Sequence, residues 1–395
     1  MPGYADPGFD TLAIHAGAAP VPATGVLEQR VAALEGGIGA IATASGPAAL
    51  HLCIATLMGS GSHMVASTAL CGDAHHLLRH TLRRFGINTT FVAPGDMDAW
   101  RTAIRPNTKL LFGETVGGPA LDVLDIPTIA AIAHEASVPL LVDSTPTSPW
   151  LMQPLALGAD LVFHSATPYL CGQGTVMGGV VVDGGSFDWA RAYGESGRFA
   201  ELATPCDGFQ GMNFGEENTV GAFLLRARME GLCDFGACMS PGTGERILQG
   251  IETLGLRMER HMRTTEQVVQ FLTNHPLISC VNHPTLPTHH SHALAQKVLP
   301  KGAGPALSFA LRGGHRQSQA FVEALRLFSH MSDVGGCRSW ALHPASTTHA
   351  RMDDAALAAA GIGQGTIQLR MGLEDAADLV EDLQRGLKIA EKVGV

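Results

Sequence analysis

The sequence predicts an α/β protein with a mostly parallel main sheet, covered by helices on both faces, and a smaller α+β domain after it. Three observations predict this. From Ile38 to Gly184 short apolar runs alternate with helical patterns, the order that builds strand–helix–strand units. Near residue 250 the pattern changes to a long helix carrying Ile251, Leu254 and Met258, with strands near Leu307–Leu311 and Thr366–Met371 beyond it. The length, 395 residues with 46% hydrophobic content, exceeds one small domain and suits two that share a core. The predicted division is a short arm over 1–25, a large α/β domain over 26–250 and a small C-terminal domain over 251–395.

Residues 1–25 are rich in Gly, Pro and Ala and read as an irregular arm. A helix is expected from Val26, with Leu27, Val31 and Leu34 on its apolar face and Gly36-Gly37 ending it. Lys109–Phe112, Val138–Val142, Ala159–Phe163 and Gly179–Val182 read as strands. Ile126–Ala133 reads as a helix, because Ile126, Ile129 and Ile132 share a face. The Gly178-Gly179 and Gly184-Gly185 pairs flank a strand and read as turns.

The net charge of −10, without a Lys/Arg cluster, argues against nucleic acid or an acidic membrane as partner. No window is apolar and long enough to span a bilayer, and the N-terminus shows no secretion signal. Eight cysteines without C-x-x-C pairs suit reduced thiols, so a cytoplasmic protein is expected. His289-His290-Ser291-His292 lies in a Pro/Thr-rich stretch that does not set three imidazoles on one helix face. It reads as a surface loop, and no metal site is expected.

Several segments, in the same order along nearly the whole chain, carry a resemblance. They are Gly8–Gly17, Val26–Gly37, Asp143-Ser144-Thr145, His164–Tyr169, Leu254–His261, Phe328-Ser329-His330, His343–His349 and Gly372–Asp375. Together they resemble the pyridoxal-phosphate (PLP) enzymes of cysteine and methionine metabolism, the O-acetylhomoserine sulfhydrylases in particular. The resemblance implies a fold-type-I, aminotransferase-like architecture and a homo-oligomer, dimer or tetramer, with a small-molecule substrate. It implies that Asp143 pairs with the cofactor's pyridine nitrogen, where a buried carboxylate stabilises the protonated ring. It also implies that Gly46, Ser165 and Thr167 lie around the cofactor phosphate and Ser339 near the substrate carboxylate.

The same resemblance exposes departures. Pro168 stands where the family keeps the lysine of the Schiff base, and proline has no amine. Cys71 replaces a tyrosine that stacks on the ring, which removes an aromatic platform. In Ser45-Gly46-Pro47 the proline removes a backbone donor from the phosphate loop. Gln368 replaces the arginine that clamps the substrate carboxylate, while Arg370, two residues on, shares its strand face and is a possible substitute. Gly25 runs directly into Val26, where relatives insert an arm that reaches the neighbouring subunit's phosphate. Five changes in one site lead to the expectation that PLP has been lost and that the pocket is vestigial.

Plainer readings stand beside these. Asp143 can be a strand-end residue bonded to its own loop, Ser165 and Thr167 can be loop caps, and Cys71 and Cys171 can be small apolar fillers. A reactive Cys71 would need His75 or His76 to activate it. Acid–base work could fall to Asp143, His75, His76 or His164. Three functions remain open: a repurposed PLP-independent enzyme acting on another small molecule in a specialised biosynthetic pathway, a non-catalytic subunit of an intact paralogue, and a non-covalent PLP binder in sulfur amino-acid metabolism.

Overall fold

The computed structural model describes residues 22–330, 336–347 and 362–393. The Gly8–Gly17 motif, nearly all of the 1–25 arm, and parts of the Phe328–Ser339 and His343–His349 segments lie outside the described residues.

The large domain is built on seven strands: β1 (Gly39–Thr43), β2 (His63–Ser67), β3 (Asn88–Val92), β4 (Thr108–Glu114), β7 (Leu140–Asp143), β8 (Leu161–Ser165) and β9 (Gly179–Asp183). The two-residue strands β5 (Val116–Gly117) and β6 (Asp122–Val123) form a separate ribbon. The sheet order is β1-β9-β8-β7-β4-β2-β3. All pairs are parallel except those made by β9, which runs against both its neighbours. The strands read as continuous apolar runs because both faces are covered. Val65, Leu111, Val142 and Val162 pack on one face against Leu27, Val31, Ile129 and Ile247. Met64, Phe112, Leu141 and Phe163 pack on the other against Leu50, Ile54, Phe199 and Phe223.

Two expected helix boundaries moved. The first helix starts at Pro22, not Val26, so the chain before Val26 is in part helical. The long helix expected around residue 250 is two helices, Pro241–Glu252 and Leu254–Thr273, broken at Thr253. Thr253 leaves helical geometry there, and its backbone N–H bonds back to Gly250 and Ile251.

The C-terminal domain has four antiparallel strands in the order β10 (Ile278–Asn282), β11 (Ala306–Leu311), β13 (Thr366–Arg370), β12 (Trp340–Leu342). Leu307, Phe309, Ala341, Ile367 and Leu369 face a core made with the helices Leu254–Thr273, Gly314–Ala324 and Ala376–Val393. Alternation then puts Trp340, Leu342, Gln368 and Arg370 on the opposite face. No helix among the described residues is long and apolar enough to cross a membrane.

Candidate active site

Five of the parallel strands end on the same edge, and the side chains with chemistry collect there, outside the carboxyl ends of the strands. Asp143 ends β7, which Leu140, Leu141 and Val142 anchor with no exposed surface. Burying three such side chains contributes roughly 1.5–3 kcal/mol each, enough to hold a buried carboxylate at the strand tip. Asp143 is 6% exposed, and its Oδ1 accepts the Thr145 N–H at 2.8 Å. Burial raises its pKa, while the Thr145 hydrogen bonds and the charge of His164 oppose the rise.

Glu114 ends β4 directly beside Asp143 in the strand register. It accepts the Cys71 N–H at 2.5 Å. Burial first, and the neighbouring Asp143 second, push the Glu114 carboxyl up to about 8. The floor of the site is therefore a pair of buried carboxyls, one of which holds its proton at neutral pH. Cys71 sits above them at the rim. It is exposed there, but desolvation of its sulfur and the neighbouring Glu114 and Asp143 raise the thiol pKa, so it is not an activated nucleophile. The histidines that might have activated it are otherwise engaged: the His75 ring packs on Phe91 at 4.6 Å and His76 faces His80 at 5.1 Å.

His164 points away from the loop, to Glu35 at the end of the first helix, with Nε2 and Oε1 2.6 Å apart and both side chains buried. That engagement ties the first helix to the sheet. Ser165 and Thr167 follow on the turn after β8. The Ser165 N–H is held by the Thr145 hydroxyl at 2.8 Å, and the Thr167 hydroxyl accepts the Gly178 N–H at 3.2 Å. The Ser165 hydroxyl makes no hydrogen bond among the described residues. Gly46 lies against it, and a Cβ at residue 46 would come within 2.6 Å of the Ser165 Cβ. At this helix start Pro47 has no N–H, and the Ala48 N–H is taken by the Ser45 hydroxyl at 3.2 Å, which leaves the Gly46 N–H.

Pro168 is buried in the single helical turn Thr167–Cys171, and its carbonyl accepts the Gly172 N–H. The turn is clamped from behind. Arg257 Nη2 donates to Gly250 O at 2.8 Å, and a Cβ on Gly250 would overlap the carbonyls of Leu170 and Cys171. Arg370 enters from β13, its guanidinium 5.7 Å from the centre of the Trp340 ring. Burial raises the Tyr169 pKa while Arg370 opposes the rise, and Arg370 also holds Glu114 down. Gln368 lies on the same strand face. Ser339 is fully buried and internally satisfied: its hydroxyl donates to Glu374 at 2.8 Å and accepts the Gly372 N–H at 2.7 Å.

Sequence reasoning missed Glu114, Tyr169 and Trp340. A carboxylate closing an apolar strand, as Asp143 does, was the available signal for Glu114. The His289–His292 stretch is less superficial than expected: His289 and Ser291 are buried against the ribbon, on Ala120 O and Val123 N. His290 turns to Asp122 and His292 to Pro284 O, with the His289 and His290 rings stacked 4.3 Å apart.

Residues 19–388 match the model of the family described as Cys/Met metabolism PLP-dependent enzyme. The chain belongs to this family. It is 41% identical over 376 residues to the O-acetyl-L-homoserine sulfhydrylase of Leptospira meyeri, covering 93% of this chain and 84% of that one. It is 40% identical over 370 residues to the homocysteine synthase of Schizosaccharomyces pombe, covering 93% and 86%. Its fold matches, at a TM-score of 0.89 and 33% identity, a Campylobacter jejuni protein described as an O-acetylhomoserine (thiol)-lyase, covering 94% of this chain and 87% of that one. That crystal structure carries a pyridoxyl-lysine monophosphate.

These findings overturn the expectation that the cofactor has been lost. The family is PLP-dependent and the matched structure bears the cofactor. The physical reason is visible in the site. The departures at 71 and 168 concern packing and attachment, and Pro47 removes one phosphate donor, while the carboxylate for the ring nitrogen and other phosphate donors remain. Asp143 is a buried carboxylate that a pyridinium N–H would neutralise, and the Gly46 N–H and Ser165 hydroxyl are donors suited to a phosphate. The residues fit PLP at both ends.

Proposed function

We propose that this chain is a PLP enzyme of small amino-acid metabolism that holds its cofactor without a covalent tether. The observation that carries the reading is the location of every lysine. Residue 168 is proline, and the five lysines, all at described positions, lie elsewhere. Lys109 pairs with Glu201, Lys301 bonds the Trp150 carbonyl, and Lys297, Lys388 and Lys392 are exposed on small-domain helices. In this reading Pro168 occupies the place of the family's lysine.

Bound PLP supplies an electron sink for chemistry beside a substrate's amino group. The chain's own residues do the rest. Asp143 holds the ring end through the pyridine nitrogen, while Ser165, Thr167 and the Gly46 N–H hold the phosphate end. Glu114, a carboxyl titrating near pH 8, is placed to take or return a proton at its Oε atoms. His164 steadies the sheet edge through Glu35. Cys71 and Gln368 alter the substrate's surroundings relative to the family pattern, which supports a substrate other than O-acetylhomoserine. We place the protein in the cytoplasm as a homo-oligomer: its eight cysteines are unpaired, and Met177, Phe85 and Phe235 are exposed apolar side chains that an interface would cover.

Equilibrium dialysis against PLP tests the reading. The protein is expected to retain PLP, and Asp143→Asn to weaken retention about 10- to 100-fold, the worth of a charged hydrogen bond. No uptake by the parent protein, or equal uptake by both, contradicts it.

A further inference from the structure

A half-buried thiol and an unmet cationic donor meet at Gly172, just behind the Pro168 turn. Cys337, on the approach to β12 of the C-terminal sheet, donates its thiol proton to the Gly172 carbonyl, with sulfur and oxygen 3.0 Å apart. Arg257 comes over the same residue from the helix Leu254–Thr273. A Cβ on Gly172 would overlap its Nη1 and Cζ, so glycine alone leaves room for the guanidinium. Arg257 Nε donates to the Thr253 hydroxyl at 3.1 Å and Nη2 to Gly250 O at 2.8 Å. Nη1 is buried without a partner, in a residue only 8% exposed. Burial lowers the Arg257 pKa, and the sulfurs of Cys337 first and Cys171 second oppose the fall, so the guanidinium faces both. Buried donors almost always find acceptors, and a charged one is costly to leave unmet. A neutral thiol sulfur is too weak an acceptor to meet it.

We propose that Cys337 is a site of oxidation by hydroperoxides, and that Arg257 Nη1 receives the oxygen the thiol gains. In the step the Cys337 sulfur attacks one peroxide oxygen. The S–O bond forms and the O–O bond breaks, the sulfur losing two electrons and the peroxide gaining them. The thiol proton leaves with the departing hydroxide as water, and the product is a sulfenic acid. That product suits the place better than the thiol does. Its O–H keeps a donor for the Gly172 carbonyl, and its oxygen supplies the acceptor that Nη1 lacks, in a charge-assisted hydrogen bond. Other thiols are placed differently. Cys53 and Cys171 are fully buried, the Cys71 sulfur faces Glu114 and Asp143, and Arg228 beside Cys233 and Cys238 is paired with Glu28. Cys337 is the thiol that solvent reaches and a buried cation backs. The site joins the C-terminal sheet to the turn four residues past Pro168, and it goes beyond the cofactor reading without resting on it.

The test treats the native protein with hydrogen peroxide at neutral pH in the presence of dimedone, blocks the remaining thiols, digests with trypsin and weighs the peptides. Residues 327–338 form one tryptic peptide with Cys337 as its sole cysteine. Residues 264–297 form another that holds only Cys280, an exposed thiol that serves as the internal reference. Cys337 is expected to lose its free thiol about 10-fold faster than Cys280, the gain from one hydrogen bond to a charged group. The expected product is the dimedone adduct at Cys337, or a disulfide to Cys171 where that thiol consumes the sulfenic acid first. Arg257→Gln should bring Cys337 down to the rate of Cys280, and Arg257→Lys, which keeps the charge without the fork, should fall between. Arg257 also clamps the Pro168 turn, so the urea midpoint of each variant is measured first. Where a variant does not fold, the comparison of Cys337 with Cys280 in the parent decides alone. Equal rates at the two thiols of the parent, or a Cys337 rate unchanged in folded Arg257→Gln, overturns the site. No PLP is added, so a failure here is distinguishable from a failure of the cofactor reading.

Discussion

Replacing Glu114 by glutamine should change how stability depends on pH. In the folded protein burial and the adjacent Asp143 raise the Glu114 carboxyl to about 8, whereas in the unfolded chain it titrates near its ordinary value of 4.5. Between these values the folded state binds a proton that the unfolded state does not. Stability therefore falls as pH rises above about 4.5, and the loss is complete above about 8. At about 1.4 kcal/mol per pKa unit, the gap of roughly 3.5 units sets the loss on the order of 5 kcal/mol. Glutamine keeps an oxygen to accept the Cys71 N–H but has no proton to lose. Urea unfolding of both proteins without PLP, at pH 5, 6, 7 and 8, measures the difference directly. The variant should gain steadily on the parent as pH rises, by several kcal/mol over the series. A difference that does not vary with pH would refute the buried carboxyl pair.

Gly250→Ala should destabilise the protein by about 1–3 kcal/mol through overpacking against the Leu170 and Cys171 carbonyls, seen as a lower urea midpoint. His164→Leu strands the buried Glu35 and should cost about 3–5 kcal/mol, and adding Glu35→Gln should restore part of it by removing the unpaired charge. Pro168→Lys should give a PLP complex that borohydride fixes at residue 168, detected by peptide mass. Cys71 should be alkylated by iodoacetamide at neutral pH more slowly than free cysteine, because its thiol stays protonated, and a rate equal to that of free cysteine would contradict this.

The fold was legible because both sheet faces are covered: β4, β7, β8 and β9 read as unbroken apolar runs, and Ile126, Ile129 and Ile132 mark their helix face. Boundaries were less so. The first helix opens on Pro22 because proline is tolerated in a helix's first turn, a signal hidden in a Pro/Gly-rich stretch. In the site, Asp143 was marked by its resemblance to the family's cofactor carboxylate, and Arg370 by its period-2 relation to Gln368, itself marked by the resemblance. Glu114 was missed because its partner, Asp143, is 29 residues away in sequence and adjacent only through the β4–β7 pairing. Trp340 was missed because an indole reads as core until its N–H is seen to lack an acceptor. The expected loss of PLP failed because five changes (Pro168, Cys71, Pro47, Gln368 and the absent arm) were taken together as loss of binding, although Asp143, Ser165 and the Gly46 N–H remain and only residue 168 governs covalent attachment.

The most direct test is a paired mass measurement on protein incubated with PLP. One PLP per chain is expected in the native spectrum and, after borohydride and denaturation, a chain of unmodified mass. Stoichiometric fixation of PLP at one of the five lysines, or a native spectrum without PLP, would contradict it.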